Sequence, residues 1–159
     1  MGKVKKTNAM RILDKENINY TIITYDSKDG KIDGISVAEK IKKHPKYVYK
    51  TLVTKGNSKE IYVFIIPVLK ELDLKKAAIA VKEKKIEMIP VKDIFKTTGY
   101  IKGGCSPIGM RKNYKIFIDS SASQIDSIIV SGGKIGVQIE LSVVQLKEVV
   151  NGEMVEVVK

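Results

Sequence analysis

Apolar clusters of changing period alternate with lysine-rich polar stretches along this chain. Residues 7–17 place Ala9, Met10, Ile12 and Leu13 at near-helical spacing behind Thr7 or Asn8 as a cap, and predict a helix. Residues 19–25 are β-branched and aromatic and predict a strand, followed by a loop at Asp26-Ser27-Lys28-Asp29-Gly30. Ser36-Val37-Ala38-Glu39 reads as a capping box for a short helix from Val37 to about Lys43, ahead of Pro45. Tyr47 to Lys55 and Glu60 to Pro67 predict two strands around a Gly56-Asn57-Ser58 turn. Asp73 is a natural cap for a helix from Leu74 to Lys84, and Pro90 opens a short helix ending near Thr98-Gly99. A Gly-rich loop, Gly103 to Gly109, precedes strands at 115–119 and 127–131. Gly132-Gly133 reads as the end of the second of these, and Ser142 caps a last helix through Val149.

Helices and strands alternate irregularly, which predicts an α/β or α+β fold. At ~100–200 residues per domain, 159 residues predict one domain over 1–159. A hydrophobic fraction of 43% excludes global disorder. The longest apolar run, Val63 to Leu69, is far short of the ~20 residues that span a bilayer. The charged start, Met1-Gly2-Lys3-Val4-Lys5-Lys6, leads into Thr7-Asn8 and not into an apolar stretch, so no signal peptide is expected and a cytoplasmic location is.

Cys105 is the single cysteine and His44 the single histidine. An intrachain disulfide and a cysteine-based zinc site are excluded, and no metal is expected. Ser-His-Asp and Cys-His chemistry would require His44 itself. Catalysis must therefore use lysine, tyrosine, hydroxyls, carboxylates, backbone amides or the substrate's own groups. The charge of +11 comes almost wholly from lysine, because Arg11 and Arg111 are the two arginines. Lysine suits phosphate backbones better than base edges, so a nucleic-acid partner would be held without sequence reading.

Four features carry candidate chemistry. In Val48-Tyr49-Lys50-Thr51-Leu52-Val53, strand alternation puts Lys50 on a face with Val48 and Leu52, where desolvation would lower its pKa. Gly103, Gly104 and Gly109 flank Ser106-Pro107, and Ser131-Gly132-Gly133 closes a strand. Glycines allow close backbone approach and can aim amides at an anion, or can simply make turns. Cys105 lies in the first of these segments with no histidine near it in sequence, which favours a structural role. Tyr25, at the end of a strand, can pack or meet a ligand.

Four blocks together carry a resemblance. They are Tyr47-Val48-Tyr49-Lys50-Thr51-Leu52-Val53, Leu72-Asp73-Leu74-Lys75-Lys76-Ala77, Thr98 to Gly109, and Val130-Ser131-Gly132-Gly133-Lys134-Ile135-Gly136. In order and spacing they resemble the YbaK/EbsC family of free-standing aminoacyl-tRNA deacylases, related to the editing domain inserted in bacterial prolyl-tRNA synthetase. The resemblance implies a mixed, barrel-like β-sheet flanked by helices with a pocket at one side. It implies removal of cysteine mischarged on the proline tRNA, a pair that a synthetase pocket separates poorly because small apolar differences give only ~1–3 kcal/mol. No cofactor is implied, and prolyl-tRNA synthetase is the implied partner.

By the same resemblance the catalytic lysine is Lys50. The substrate-binding residues are Tyr25, Thr51, Ser131 and Gly133, with Gly103, Gly104 and Ser106 of the Gly-rich loop. Ile32-Asp33 and Gln138 depart from the cysteine-specific pattern at positions that shape the pocket. The implied chemistry is substrate-assisted: the cysteine thiol attacks its own ester carbonyl while Lys50 and the amides of Gly103, Gly104 and Gly133 stabilise charge. The alternatives are a deacylase for alanine or another small residue using water, and a non-catalytic module binding tRNA or a synthetase.

Overall fold

The computed structural model describes residues 4–159, so residues 1–3 of the charged start lie outside the described part. Helix α1 (Asn8–Lys15) buries Ala9, Met10 and Leu13, and the Thr7 hydroxyl caps it by accepting from the Met10 amide at 3.2 Å. It stops short of residue 17 because Asn17 turns to φ 57°. Strand β1 (Tyr20–Thr24) follows, then α2 (Gly34–Lys40). The cap of α2 is Asp33, whose carboxylate accepts from the Ser36 amide at 3.1 Å. This corrects the capping-box reading: with Asp33 holding its amide, Ser36 sits inside the first turn. Gly34 is required there, because a Cβ would lie 2.4 Å from Cγ1 of Val68.

A 3-10 turn (Pro45–Tyr47) feeds β2 (Tyr49–Gly56), which pairs antiparallel with β3 (Ile61–Pro67). Helix α3 (Leu74–Val81), capped by Asp73, leads to β4 (Ile86–Met88), helix α4 (Val91–Thr98) and the Gly-rich loop. Strand β5 (Lys115–Asp119), a 3-10 turn (Ser120–Gln124), β6 (Ser127–Lys134), β7 (Val137–Ser142), α5 (Val143–Val149) and β8 (Glu153–Val155) complete the chain. Strands β4, β7 and β8 were not expected. Strand β6 also runs through Gly132-Gly133 to Lys134, bulging between Ser131 and Lys134, and then turns back as β7.

The larger sheet has the order β4-β2-β3-β5-β8, mixed in direction, and the smaller is the antiparallel sheet β1-β7-β6. A parallel bridge between Val48 and Ile129 joins them into a barrel-like whole, as the fold-class expectation required. Between the sheets, and under α1 and α5, Met10, Leu13, Val63, Ile65, Ile118, Ile128, Val130, Ile139 and Leu146 are fully buried. The other face of the larger sheet carries Phe64 stacked on Phe117 at 5.4 Å, with Ile66 and Ala77 of α3. Each large side chain so buried contributes about 1.5–3 kcal/mol against leaving it in water. Among the described residues no helix is long and apolar enough to cross a membrane.

Candidate active site

The two sheets part just beyond the bridge. Val48 meets Ile129, and β4 pairs with β2 only at Thr54, Lys55 and Gly56. Between these contacts residues 49–52 of β2 have a strand partner, β3, on one side alone. The gap holds a cavity of about 220 Å³. Strand β2 contributes Tyr49, Lys50, Thr51 and Leu52. The segment entering α2 contributes Ile32, Gly34 and Val37. The Gly-rich loop brings Lys102, Gly103 and Cys105, and the smaller sheet brings Ser131 and Gln138.

Lys50 is half-buried, paired with Ile66, on the face that carries Leu52 and Phe64. Desolvation lowers its pKa below the ordinary lysine value, and the more distant Glu71 carboxylate pulls the other way. Thr51 points to the opposite face. Its hydroxyl is buried and has no hydrogen-bond partner among the described residues. The Tyr25 phenol is orphaned in the same way. Ile23 pairs with Gln138, and Gln138 with Ser131, so all three share a face of the smaller sheet. Tyr25 lies two residues beyond Ile23, tied by its amide to the Gly136 carbonyl at 3.0 Å, and so belongs to that face at the cavity's margin. A buried hydroxyl without a partner costs free energy, and the Thr51 hydroxyl in the cavity lining marks a place where a polar ligand can complete the structure.

The glycines divide by role. Gly103 lines the cavity at φ 87°, and a Cβ there would stand 2.6 Å from Cδ1 of Ile32. Among the described residues nothing accepts from its amide. The Gly104 amide donates to the Ile101 carbonyl at 3.0 Å, and a Cβ on Gly104 would meet the Ile135 nitrogen at 2.9 Å. The Gly133 amide donates to Ser131 Oγ at 3.2 Å, and its φ of 103° faces Tyr100 and Thr7. Ser106 is fully buried, and its Oγ accepts from the Ile108 amide at 3.2 Å. Lys50, Thr51, Gly103, Ser131 and Gln138 therefore meet around one cavity, with Tyr25 at its edge. Gly104, Ser106 and Gly133 stand behind the lining and hold the loop and the bulge in place, because their hydrogen-bonding groups are already engaged.

Sequence reasoning missed Tyr49, whose hydroxyl bonds Ser121 Oγ at 2.7 Å, and Lys102. It gave Cys105 a structural role and did not place it at the site; the residue belongs to the cavity lining. Burial pushes the Cys105 thiol up to about 11, against a 3.9 Å contact with the Thr98 hydroxyl. His44 lies elsewhere, capping the first 3-10 turn through Nδ1. The cavity lining has no imidazole and no carboxylate, and among the described residues no three His, Cys, Asp or Glu side chains gather as a metal site.

The aminoacyl-tRNA editing domain family matches residues 33–149, a span that holds every lining residue except Ile32. The chain is 42% identical to a candidate Cys-tRNA(Pro)/Cys-tRNA(Cys) deacylase, EbsC, of Enterococcus faecalis, over 96% of this chain and 93% of the relative. In fold it is similar to a candidate trans-editing enzyme for prolyl tRNA synthetase, at a TM-score of 0.85 and 16% identity over 96% of this chain and 95% of that one. A hypothetical protein of known structure superposes at 0.88, also at 16% identity, over 96% of this chain and 100% of its own. By the extent of the family match and the identity to EbsC, the chain belongs to the aminoacyl-tRNA editing domain family.

Proposed function

We propose that this protein is a cytoplasmic trans-editing deacylase that removes cysteine from mischarged proline tRNA, acting beside prolyl-tRNA synthetase. The observation that carries the reading is the composition of the cavity. A desolvated lysine, an unpaired amide and the orphaned Thr51 hydroxyl line it together, with no imidazole or carboxylate to act as base. Such a site suits a substrate that brings its own nucleophile. A volume of about 220 Å³ is below the ~300–1,000 Å³ of sites for drug-sized ligands, and fits an aminoacyl group with the nucleotide left outside.

In this reading the substrate's cysteine sulfur attacks its own ester carbonyl. A carbon–sulfur bond forms, the ester carbon–oxygen bond breaks, and the thiol proton ends on the departing ribose hydroxyl. The products are a cyclic thiolactone and uncharged tRNA, with no water consumed and no redox change. Well-oriented intramolecular attack is worth ~7–11 kcal/mol. Lys50 supports the negative charge on the carbonyl or the terminal phosphate, and the Gly103 amide adds a donor. Thr51 and Tyr25 orient the aminoacyl group, Ser131 meets the α-amine or ribose, and Gln138 closes the wall. Gly104, Ser106 and Gly133 fix the geometry from behind.

A second reading is hydrolysis of another small aminoacyl ester, such as alanine, by water. Ile32 and Gln138, the two departures from the cysteine-specific pattern that line the cavity, favour it. The test is deacylation of cysteinyl- and alanyl-tRNA, both on proline tRNA, by wild type and Lys50→Ala. Clearance of the cysteine ester alone, with thiolactone as product and dependence on Lys50, supports the first reading. Equal or better clearance of alanine supports the second, and no turnover of either overturns the first reading and the alanine form of the second.

A further inference from the structure

A hollow of about 330 Å³ lies beside the cavity, bounded by the β2–β3 turn, α4 and the segment after the Gly-rich loop. Five cations line it, Lys55, Lys59, Lys96, Arg111 and Lys112, against one carboxylate, Asp93, which is already held by Lys96 at 3.0 Å. Lys55, Lys59 and Lys112 are exposed and in no ion pair among the described residues. Arg111 is fixed in place: its Nε donates to the Phe95 carbonyl at 3.2 Å, and its guanidinium sits 5.0 Å over the Phe95 ring. A second lysine-rich hollow, on another part of the surface, is different. There Lys42, Lys43 and Lys46 face Asp126 and Glu140, and Lys43 approaches Glu140 at 3.9 Å.

One residue links the hollow to the cavity. The Thr98 carbonyl accepts from the Arg111 amide at 3.1 Å, and the Thr98 hydroxyl touches Cys105 Sγ of the cavity wall at 3.9 Å. Strand β2 makes a second link, since Thr51 lines the cavity and Lys55, on the same face, the hollow, about 13 Å apart at 3.3 Å per residue. A substrate whose aminoacyl end fills the cavity leaves its phosphates outside, and the hollow adjoins it with an excess of positive charge: Glu87, opposite Lys55 in the β2–β4 ladder, is itself held by Lys85 at 2.6 Å.

We infer that the phosphate backbone of the RNA esterified in the cavity runs through the hollow formed by Lys55, Lys59, Lys96, Arg111 and Lys112. The inference rests on the deacylase reading for its substrate, but its test does not need turnover. Binding of uncharged proline tRNA is followed by fluorescence anisotropy across a salt series. The proteins are wild type, a Lys55→Gln/Lys59→Gln/Lys112→Gln variant, the same three positions changed to Arg, and a Lys42→Gln/Lys43→Gln/Lys46→Gln variant of equal charge change. Melting curves establish that each is folded. The hollow variant is expected to bind about tenfold more weakly or worse, with a log–log salt slope shallower by about two to three units. The Arg variant retains affinity and the other lysine variant changes it by less than about twofold. Equal weakening by both Gln variants, wild-type affinity in the hollow variant, or no tRNA binding by wild type at low salt overturns the inference. Binding through the hollow without turnover of any aminoacyl-tRNA supports the inference and overturns the deacylase reading instead.

Discussion

Lys50 stands directly opposite Ile66 across the β2–β3 ladder, an ammonium-bearing side chain set against a wholly buried one. Paired residues share a face, so the lysine side chain starts from the apolar face that carries Leu52 and Ile66 and lines the cavity. The charge is held there at some cost to the fold. Sites of this kind often trade stability for activity.

Lys50→Met therefore melts no lower than wild type at pH 7, while deacylation falls by about 100-fold or more, as when a charge-stabilising donor is removed. The folded state holds this proton less tightly than the unfolded chain, whose lysine titrates near 10.5. Wild-type stability therefore rises with pH between the lowered folded pKa and 10.5, and Lys50→Met lacks that rise. Enzymatic rate moves the opposite way, declining as the ammonium is lost below pH 10.5. Melting curves and rates across pH 7–10 check both.

Thr51→Val and Tyr25→Phe each remove a buried hydroxyl without a protein partner. Both are expected to keep or gain stability, by about 1 kcal/mol at most, because nothing is left unpaired by the change. Both lower kcat/KM. Chemical denaturation alongside kinetics tests the pair, and a clear loss of stability would reveal a structural role for the hydroxyl.

The two adjacent glycines of the loop separate in their response to alanine. Gly104→Ala drives a methyl into the Lys134–Ile135 backbone, which cannot yield, and costs about 2–3 kcal/mol. Gly103→Ala meets the movable tip of Ile32 and costs about 1 kcal/mol through its positive φ. That second variant displaces Ile32 at the cavity wall, so its larger effect is on turnover. Denaturation midpoints and kinetics distinguish them.

Cys105→Ala retains activity, since nothing in the proposed chemistry uses an enzyme thiol. With the thiol pushed up to about 11 from an ordinary 9.0, wild-type protein carries roughly a hundredfold less thiolate at neutral pH than an unperturbed cysteine. Iodoacetamide labelling is correspondingly slow and accelerates above pH 9. An inactive Cys105→Ala protein of normal stability would move the nucleophile from substrate to enzyme.

The parts of the fold legible in sequence were those with long or well-capped patterns. Thr7, Asp73 and Ser142 cap the helices expected of them, and the β2–β3 hairpin lies within a residue or two of its expected place. Strands β4 and β8 have three residues each, too few to show a period. Strand β7 does alternate, at Val137, Ile139 and Leu141, but reading Gly132-Gly133 as a strand end hid its hairpin. A bulge packed against Thr7 and Tyr100 uses the same residues as a turn. For the cavity, alternation alone separated Lys50 from Thr51. The engaged amides of Gly104 and Gly133 were invisible, because their acceptors depend on backbone geometry. Tyr49 and Lys102 carry no sequence signal that sets them apart from other lysines and strand tyrosines.

The gap between the sheets also bears on self-association. Opening a barrel exposes a strand edge, and an exposed edge is a template on which another chain can add a strand. Here the unpaired edge of β2 is no longer than residues 49–52, is bounded by Val48–Ile129 at one end and β4 at the other, and bears a lysine. The segment entering α2 and the Gly-rich loop wall it in. Room for a small guest is thereby made at the gap without leaving there a strand edge long enough for another copy of the protein to pair with.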